Sequence, residues 1–271
     1  MEDYRRLQTW AAKGRRFAVI GGGFIGSEIA AALAMNAKQV VMVFPGTGIC
    51  DWMFPPDLSR FLNDTYQRKG VEILSKESAT GLERRGEQFV LTTRGQREVE
   101  VDGVIAGIGI QPNIELATMA GLETADGIVV DEFLRTSKSD IYAAGDVAFF
   151  YNPALGRRMR VEHEDNANTM GRLAGRSMAG SEEKYEHLPF FYSDLFELGY
   201  EAVGEVDSRL SILADWKDPY REGVIYYQKA GIVRGVLLWN VWGQVDAARE
   251  LIATNRPFQA EELKHKLAKA A

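Results

Sequence analysis

The sequence is poor in residues that form disulfides or bind metals. Its 271 residues include one cysteine, Cys50, and three histidines, His163, His187 and His265. A single cysteine excludes an internal disulfide framework and a Cys-x-x-Cys redox pair. The histidines show no spacing typical of metal ligands. We therefore expect no metal site, and we interpret Cys50 as incidental rather than as a nucleophile.

An excess of positive charge and long apolar runs are also lacking. The net charge is −6 and no basic stripe is present, which argues against nucleic acid or an anionic membrane as a partner. No apolar run approaches the roughly 18 residues of a spanning helix, and the N-terminus lacks the apolar core of a signal peptide. Neither G-x-S-x-G nor G-x-x-x-x-G-K occurs. We expect a cytoplasmic protein with no nucleic-acid or membrane partner.

What the sequence does contain is a glycine-rich turn between a strand and a helix. Residues 16–20 predict a strand and residues 24–35 an Ala-rich helix, with Gly21, Gly23 and Gly26 spaced as G-x-G-x-x-G. The first glycine permits the tight turn, the second lets the backbone approach a pyrophosphate, and the third lets helix and strand pack closely. This context predicts a dinucleotide site. The alternative is a turn whose glycines serve packing alone.

Residues 14–124 predict a three-layer dinucleotide-binding domain. A helix opens at Pro55-Pro56-Asp57 and ends at Lys69-Gly70, because proline favours a helix start and glycine follows a helix end. Short polar-alternating strands then indicate a β-meander in place of a crossover helix. The further strands predicted in this domain are residues 39–44, 71–74, 79–83, 88–92, 98–101 and 103–109, the last of them buried.

Three other segments complete the predicted organisation. Residues 1–13 form an N-terminal tail. Residues 125–187 hold strands 127–130 and 140–144 and helix 164–179, which is too little to close a sheet. Residues 188–271 form an α+β domain, a sheet with helices at one end. Its predicted elements are strands 200–206, 210–214, 223–228 and 232–239 and helices 244–254 and 259–269.

A second motif, Ile141-Tyr-Ala-Ala-Gly-Asp146, ends a predicted strand with a carboxylate. α/β sheets bind ligands at the carboxyl ends of their strands, where a carboxylate can accept hydrogen bonds from ligand hydroxyls. Asp146 is therefore a candidate ligand-binding residue. The alternative is that it caps the following turn.

Five blocks in this order resemble one family. They are GGGFIGSE, GIGIQPN, IYAAGDVA, GRRMRVEHEDNA and the aromatic segment FFYSDL. Together they are similar to FAD-dependent pyridine nucleotide (disulfide) oxidoreductases, within them the branch of apoptosis-inducing factor and ferredoxin reductases. The resemblance runs from about Tyr4 to about Ile252. It implies an α/β fold with a Rossmann-like NAD-binding domain, a partial FAD-binding domain and an α+β C-terminal domain.

The resemblance assigns roles to residues of the nucleotide domain. Gly21, Gly23 and Gly26 would hold the pyrophosphate of NAD, and Glu28 would contact the nicotinamide end. Phe24 would lie between the nicotinamide pocket and the flavin, and it is with Glu28 a candidate catalytic residue. Ile25 and Gly109 complete the predicted nucleotide-binding set. Without the family, Glu28 reads as a first-turn acid favoured by the helix dipole and Phe24 as a core aromatic residue.

The flavin side is implied by the same resemblance. Asp146, after Gly145, would bind the ribityl chain of FAD. Glu162 and His163, the third candidate catalytic residue, would open the helix whose N-terminus faces the flavin. Without the family, residues 162–165 read as acid-rich helix capping. Tyr192 would lie near the flavin, and Glu201 lies in a shared block.

Two departures from the family pattern matter. An acidic residue about 20 positions beyond the glycines normally binds the adenosine ribose, but Phe44-Pro-Gly-Thr47 contains no acid. No Arg or Lys stands there for a 2′-phosphate either, which favours NAD over NADP. The family also carries a first flavin half with its own G-x-G-x-x-G, which this chain lacks. Residues 125–187 should therefore present an unpaired strand edge and an apolar face.

We expect hydride transfer from NADH to flavin. A Cys pair is absent, so electrons would pass to a ferredoxin-like protein, a quinone or oxygen. One alternative is an NAD(H)-binding module without turnover. Another is an interaction subunit completed by a chain that supplies the missing flavin half. The sequence leaves homodimerisation open.

Overall fold

The computed structural model describes residues 2–267, which form two compact units. The first comprises the residues up to Gly109 together with Ser193–Gly199. The second comprises Ile110–Tyr192 and the residues from Tyr200 onward. These units are defined by contacts, whereas the predicted boundaries at residues 124 and 187 divide the chain by motif, so the predicted domain division stays a prediction.

The first unit is built on a parallel sheet with strand order β3-β2-β1-β7. Its strands are β1 (Arg16–Ile20), β2 (Gln39–Phe44), β3 (Val71–Ser75) and β7 (Gly103–Ala106). Its helices are α1 (Glu2–Lys13), α2 (Phe24–Met35) and α3 (Pro56–Arg68). The central strands are continuous apolar runs because both faces of a parallel sheet are covered. Residues 1–13, which the sequence predicted as a tail, are mostly helix α1.

Strand β7 is shorter and less buried than the sequence predicted. It ends at Ala106, not at residue 109, and residues 104–106 are partly buried or exposed. The N–H of Gly107 donates to Ile20 O at 2.8 Å, and Gly107 packs against the backbone of Gly26. Because the chain turns against α2 at this point, the hydrogen-bond ladder between β1 and β7 ends.

The predicted β-meander is present in the first unit. Strands β4 (Ala79–Arg85), β5 (Gln88–Thr93) and β6 (Glu98–Val101) form an antiparallel sheet in this order. In β6 the valines are buried and the glutamates are exposed, as alternation requires. The meander shares a core with the parallel sheet, made of Ala18, Val41, Val43, Leu91, Val99 and Val101.

The second unit begins with a small mixed sheet of order β11-β10-β9-β8. Its elements are α4 (Glu115–Met119), β8 (Thr124–Ala125), β9 (Gly127–Val129), a 3-10 turn (Gly145–Val147), β10 (Ala148–Asn152), β11 (Arg157–Met159) and α5 (Glu164–Met178). Only β9 and β10 are parallel. The long helix α5 buries Met170, Leu173 and Ala174 in a core shared with Phe150 and Tyr185.

Residues 140–144 do not form the predicted strand. Tyr142 makes one isolated antiparallel bridge to Arg135, and Ala143 N–H donates to Leu134 O at 3.1 Å. Within the described part of the chain, the N–H groups of Tyr142 and Ala144 make no hydrogen bond. A ladder needs a neighbouring strand, and here only one edge of the segment has one. This agrees with the expected unpaired edge.

A five-stranded sheet of order β12-β13-β16-β15-β14 follows; of its residues, those within Ser193–Gly199 belong to the first unit and the others to the second. Its elements are β12 (Phe190–Leu195), β13 (Leu198–Gly204), β14 (Ser211–Asp218), β15 (Glu222–Lys229), β16 (Ile232–Trp239), α6 (Val245–Ala253) and α7 (Ala260–Leu263). The helix predicted over 259–269 was too long: residues 264–267 are not helical, and the rest of it lies outside the described residues. The predicted α/β fold class is confirmed. None of the described helices has the length and apolarity to cross a bilayer.

Candidate functional site

The glycines of the turn between β1 and α2 occupy three different environments. Gly21 has a φ of +112°, and a Cβ there would lie 2.2 Å from Gly107 O. A Cβ on Gly26 would lie 2.1 Å from Gly21 O. A Cβ on Gly23 would meet no heavy atom within 4 Å. Packing thus explains Gly21 and Gly26, but Gly23 borders open space, as a ligand approach requires.

The open glycine is also the start of a helix. Gly23 is the N-cap of α2, in an extended conformation and without a side-chain cap. The start of α2 and its helix dipole favour an anion at this position. Two bonds fix the turn, from Gly21 N–H to Val43 O at 2.9 Å and from Cys50 N–H to Gly22 O at 2.8 Å.

Helix α2 positions the predicted side chains of the nucleotide site. Phe24 is half-buried and meets the exposed ring of Trp52 edge-on, with centroids 5.2 Å apart. Ile25 is exposed. Glu28 Oε1 accepts a 2.5 Å hydrogen bond from the buried Ser193 hydroxyl. As the fifth residue of α2, Glu28 lies beyond the first turn, so the helix-dipole interpretation of this acid was wrong.

Cys50 lies beside the turn and is buried. Burial raises the pKa of its thiol to about 12, with a further rise from Asp51 that a Ser27 hydrogen bond only partly opposes. A thiol this hard to ionise is a poor nucleophile at neutral pH, in agreement with an incidental role.

Asp146 lies in the second unit, within the 3-10 turn rather than at its cap. The cap is Ala144, so the capping interpretation of Asp146 was wrong. The Asp146 side chain is exposed and makes no hydrogen bond among the described residues. Arg160, nearly buried, donates to Asp146 O at 3.2 Å and also pairs with Glu162. Arg160 thus brings two predicted flavin-site residues together.

His163 is the N-cap of α5, with an extended backbone and no side-chain cap bond. Its ring stacks on Phe191, with centroids 4.7 Å apart and planes at 16°. Burial lowers the pKa of His163, against the opposing charges of Asp146 and Glu162. Because the pKa lies below its ordinary value of about 6.5, the imidazole is neutral at pH 7.

The acid-rich run at the start of α5 does not cap the helix with side chains. Asp165 Oδ2 instead contacts His187 Nε2 at 2.6 Å, Arg249 Nη2 at 3.1 Å and Phe190 N at 3.2 Å. Burial alone would raise the pKa of Asp165, but the hydrogen bond from His187 and the Arg249 charge lower it. This carboxylate is therefore a structural anchor of α5.

The remaining predicted residues are placed without partners that reveal a role. Gly109 is exposed with a φ of +100° in the first unit, and Tyr192 is 54% exposed in the second. Glu201 accepts a 3.3 Å bond from Gly243 N, while burial raises its pKa. Their functions stay predictions. Among residues 2–267, no group of His, Cys, Asp or Glu is arranged to hold a metal ion.

Two residues of these sites were missed in the sequence. Arg160 is one of several arginines in Gly156-Arg-Arg-Met-Arg160, and no spacing tells which one turns inward. Ser193 lies 165 positions from Glu28, and such long-range pairs leave no local pattern. Only the fold brings them into contact.

Comparisons with known proteins match nearly the whole chain. The family model "Pyridine nucleotide-disulphide oxidoreductase" matches residues 1–171. The model "Apoptosis-inducing factor, mitochondrion-associated, C-term" matches residues 174–218 and 213–254. The chain is 33% identical to "Apoptosis-inducing factor 1, mitochondrial" of Dictyostelium discoideum over 98% of this chain and 54% of that protein.

Two bacterial reductases are also similar. The ferredoxin–NAD(+) reductase component of the anthranilate 1,2-dioxygenase system of Burkholderia cepacia is 32% identical, over 96% of this chain and 64% of its own length. The crystal structure of the ferredoxin reductase for the CYP199A2 system of Rhodopseudomonas palustris superposes with a TM-score of 0.87 at 26% identity, covering 96% of this chain and 65% of that one. The chain thus spans between half and two thirds of the length of these relatives. The glycine turn is open, and one family model matches more than half of the residues. The chain therefore belongs to the pyridine nucleotide-disulphide oxidoreductase family, in its apoptosis-inducing-factor and ferredoxin-reductase branch.

Proposed function

We propose that this chain forms the NADH-binding part and half of the flavin-binding part of an FAD-dependent NAD(P)H oxidoreductase. The observation that carries the proposal is the turn at Gly23, which borders open space beside the uncapped start of α2. The family implies a flavin and a pyridine nucleotide. The printed name of one relative, a ferredoxin–NAD(+) reductase component, supports a ferredoxin-like acceptor; a quinone and oxygen are the other candidates.

The first unit provides what NADH binding needs. The start of α2 would bind the pyrophosphate, because its N-cap, Gly23, leaves the approach open and the positive end of the helix dipole favours an anion. Glu28 is oriented by the hydroxyl of Ser193, so its carboxylate can hold the nicotinamide end in a fixed position. Phe24, supported by Trp52, can exclude water from the nicotinamide.

The second unit fits the ring and ribityl portions of FAD but not its phosphates. Helix α5 begins at His163 with no side-chain cap, and the exposed Asp146 carboxylate can accept hydrogen bonds from hydroxyls. The dipole of α5 would stabilise negative charge on the flavin ring, and the neutral His163 adds no charge of its own. Arg160 holds Glu162 and the backbone at Asp146 in place. No second phosphate-binding turn occurs in the sequence.

A bound flavin would supply the redox chemistry, taking a hydride from NADH and releasing electrons to an acceptor. The role of the chain is to position the donor and to tune the ring electrostatically. A chain with one cysteine cannot form the disulfide that many flavoenzymes use as an internal acceptor. The electrons would therefore leave to an external molecule.

A second candidate is a subunit that needs another chain or segment for the first flavin half, or that binds NAD(H) without turnover. The N–H groups of Tyr142 and Ala144 have no hydrogen-bond partner among residues 2–267, which favours completion by another strand. Such an edge accepts a partner strand readily.

The test combines flavin absorbance with NADH binding. The purified chain is incubated with FAD, freed of excess cofactor and titrated with NADH. Retained flavin absorbance that bleaches with NADH supports the oxidoreductase. A colourless chain that binds NADH supports the module without turnover, and colour that appears only with a chain carrying the first flavin half supports the subunit.

Variants of two glycines sharpen this test. Gly23→Val should lower NADH affinity by about a hundredfold or more, measured by calorimetry, because its side chain would fill the open approach. The matched control is Gly81→Val, where a Cβ makes ordinary contact with Thr92 at 3.6 Å; it should bind NADH normally. Absence of NADH binding by the unaltered chain, or equal affinity in Gly23→Val, would contradict the proposal.

A further inference from the structure

A carboxylate lies at the end of β2, where the sequence shows none. A Cβ on Gly46 would lie 2.7 Å from Asp51 Oδ2 and 2.8 Å from Asp51 Oδ1. The loop after β2 therefore folds back, and the Asp51 carboxylate fills the space that a side chain at position 46 would occupy. Gly46 is needed there, because any larger residue would collide with Asp51.

The fold holds this carboxylate in place. Asp51 Oδ2 accepts hydrogen bonds from Thr47 N at 2.6 Å and from Thr47 Oγ1 at 3.0 Å. The loop itself is bound to α3, since Asn63 donates to Thr47 O at 3.0 Å and accepts from Ile49 N at 3.1 Å. The side chain of Asp51 is half-buried. The carboxylate is thus preorganised and still reached by solvent.

The same loop adjoins the glycine-rich turn. Cys50, the neighbour of Asp51 in the chain, donates its N–H to Gly22 O at 2.8 Å. Gly22 also packs on Phe44, since a Cβ there would lie 2.8 Å from the ring. Asp51 is therefore one residue from a direct contact with the predicted pyrophosphate turn. At this edge of such sheets, a carboxylate binds the ribose hydroxyls of NAD.

We infer that Asp51 binds the adenosine ribose hydroxyls of NADH and discriminates against NADPH. This inference rests on the proposed NADH site at Gly23. The ribose 2′- and 3′-hydroxyls are donors that match a carboxylate acceptor. A 2′-phosphate would bring about two negative charges against the same carboxylate, so the identical geometry that favours NADH repels NADPH.

The backbone of a lysine also lies beside Gly46. Lys76 donates its backbone N–H to Gly46 O at 2.8 Å, and Arg94 donates to Lys76 O at 3.0 Å. The sequence analysis expected no lysine or arginine here, because residue 76 lies 30 positions further along the chain. A lysine side chain can bind a phosphate. The test must therefore separate Asp51 from Lys76.

The test measures dissociation constants of NADH and NADPH for the full chain by calorimetry. Asp51→Asn keeps an acceptor for Thr47 and removes the charge. Its affinity for NADH should fall about tenfold, from the loss of charge-assisted hydrogen bonds. Its affinity for NADPH should stay equal or rise, so the preference for NADH should fall by more than tenfold. Glu100→Gln, which neutralises an exposed acid on β6 of the same unit, should change neither value.

A double variant distinguishes the loss of the carboxylate from a collapse of the loop. Gly46→Glu combined with Asp51→Ala moves the carboxylate to the end of β2 without the collision, and it should restore the preference for NADH. An unchanged NADPH-to-NADH ratio in Asp51→Asn would overturn the inference. So would a preference for NADPH in the unaltered chain that Lys76→Ala removes. If the unaltered chain binds neither nucleotide, the proposed function fails as well. If the unaltered chain binds NADH but the Asp51 variants bind both nucleotides with unchanged affinity, the Asp51 inference fails alone.

Discussion

Two short apolar segments of the chain lead through glycine into a helix or a 3-10 turn, and the first of them, β1, is a strand whereas the second, residues 141–144, is not. In the first unit, β1 is paired on both sides, with β2 and with β7. In the second unit, the segment 141–144 makes a single bridge to Arg135. Both segments are short, apolar and followed by glycine. The difference lies in whether neighbouring strands are present.

A strand is therefore a property of a pair of segments rather than of one. Ala18 and Val19 are fully buried because β2 and β7 supply neighbours and α2 covers a face. Ile141, Tyr142 and Ala144 remain only half-buried in the part of the chain that the structure describes. The contrast in burial thus follows the contrast in strand pairing.

The largest expected effect is a contrast in amide hydrogen exchange. The amides of Ala18 and Val19 lie in a strand flanked on both sides. They should exchange at least about a thousandfold more slowly than those of Tyr142 and Ala144, which have no acceptor in the described part of the chain. Exchange followed by mass spectrometry or NMR checks this, with the bonded Ala143 amide as an internal control. Equal protection of the two segments would remove the contrast. A chain that supplies a partner strand should slow exchange at Tyr142 and Ala144.

The next effect concerns glycines in the helices that follow the two turns. Gly26→Ala should destabilise the first unit by about 3 kcal/mol or more, because its Cβ would lie 2.1 Å from Gly21 O. Gly175→Ala in α5 is the matched control, since a Cβ there meets nothing within 4 Å; it should stabilise the helix by up to about 1 kcal/mol. Urea denaturation measures both. If Gly26→Ala left the free energy of unfolding unchanged, the turn would be packed more loosely than this distance indicates.

Most of the first unit could be predicted from the sequence because its elements depend on local patterns. The three glycines, the proline at the start of α3 and the alternation in β6 each determine nearby backbone. The second unit was predicted less well: β10, β11 and β12 were missed, and the strand at 140–144 was wrong. Those elements depend on pairing between segments that no local period reveals.

The candidate site shows the same limit. Gly21, Gly23 and Gly26 were found by their spacing, but Asp51 was not, because it reaches Gly46 through a loop rather than from the expected position. Arg160 was missed because its inward orientation depends on the pairing of β10 with β11. The roles of Tyr192 and Glu201, the cytoplasmic location and a homodimer stay predictions.

The smallest effect tests how the second unit keeps α5 in place. Asp165 on α5 contacts His187 and Arg249, and its pKa is held below the ordinary value of about 3.9. A lowered carboxyl pKa stabilises the fold above about pH 4, and this contribution is lost as the pH falls through the folded-state pKa. The free energy of unfolding of Asp165→Asn should therefore be lower than that of the unaltered protein by about 1–2 kcal/mol at pH 7. This difference should shrink below about pH 4.

Denaturation at a series of pH values measures this difference. Asp246→Asn is the matched control, because Asp246 pairs with the same Arg249 at 2.9 Å but its side chain is 90% exposed; an exposed pair of this kind contributes at most about 1 kcal/mol. If both variants lose the same small amount at every pH, side-chain contacts of Asp165 do not anchor α5. The core around Met170 and Leu173 would then be the main source of stability in the second unit. The two units would differ in strand pairing and not in how their helices are held.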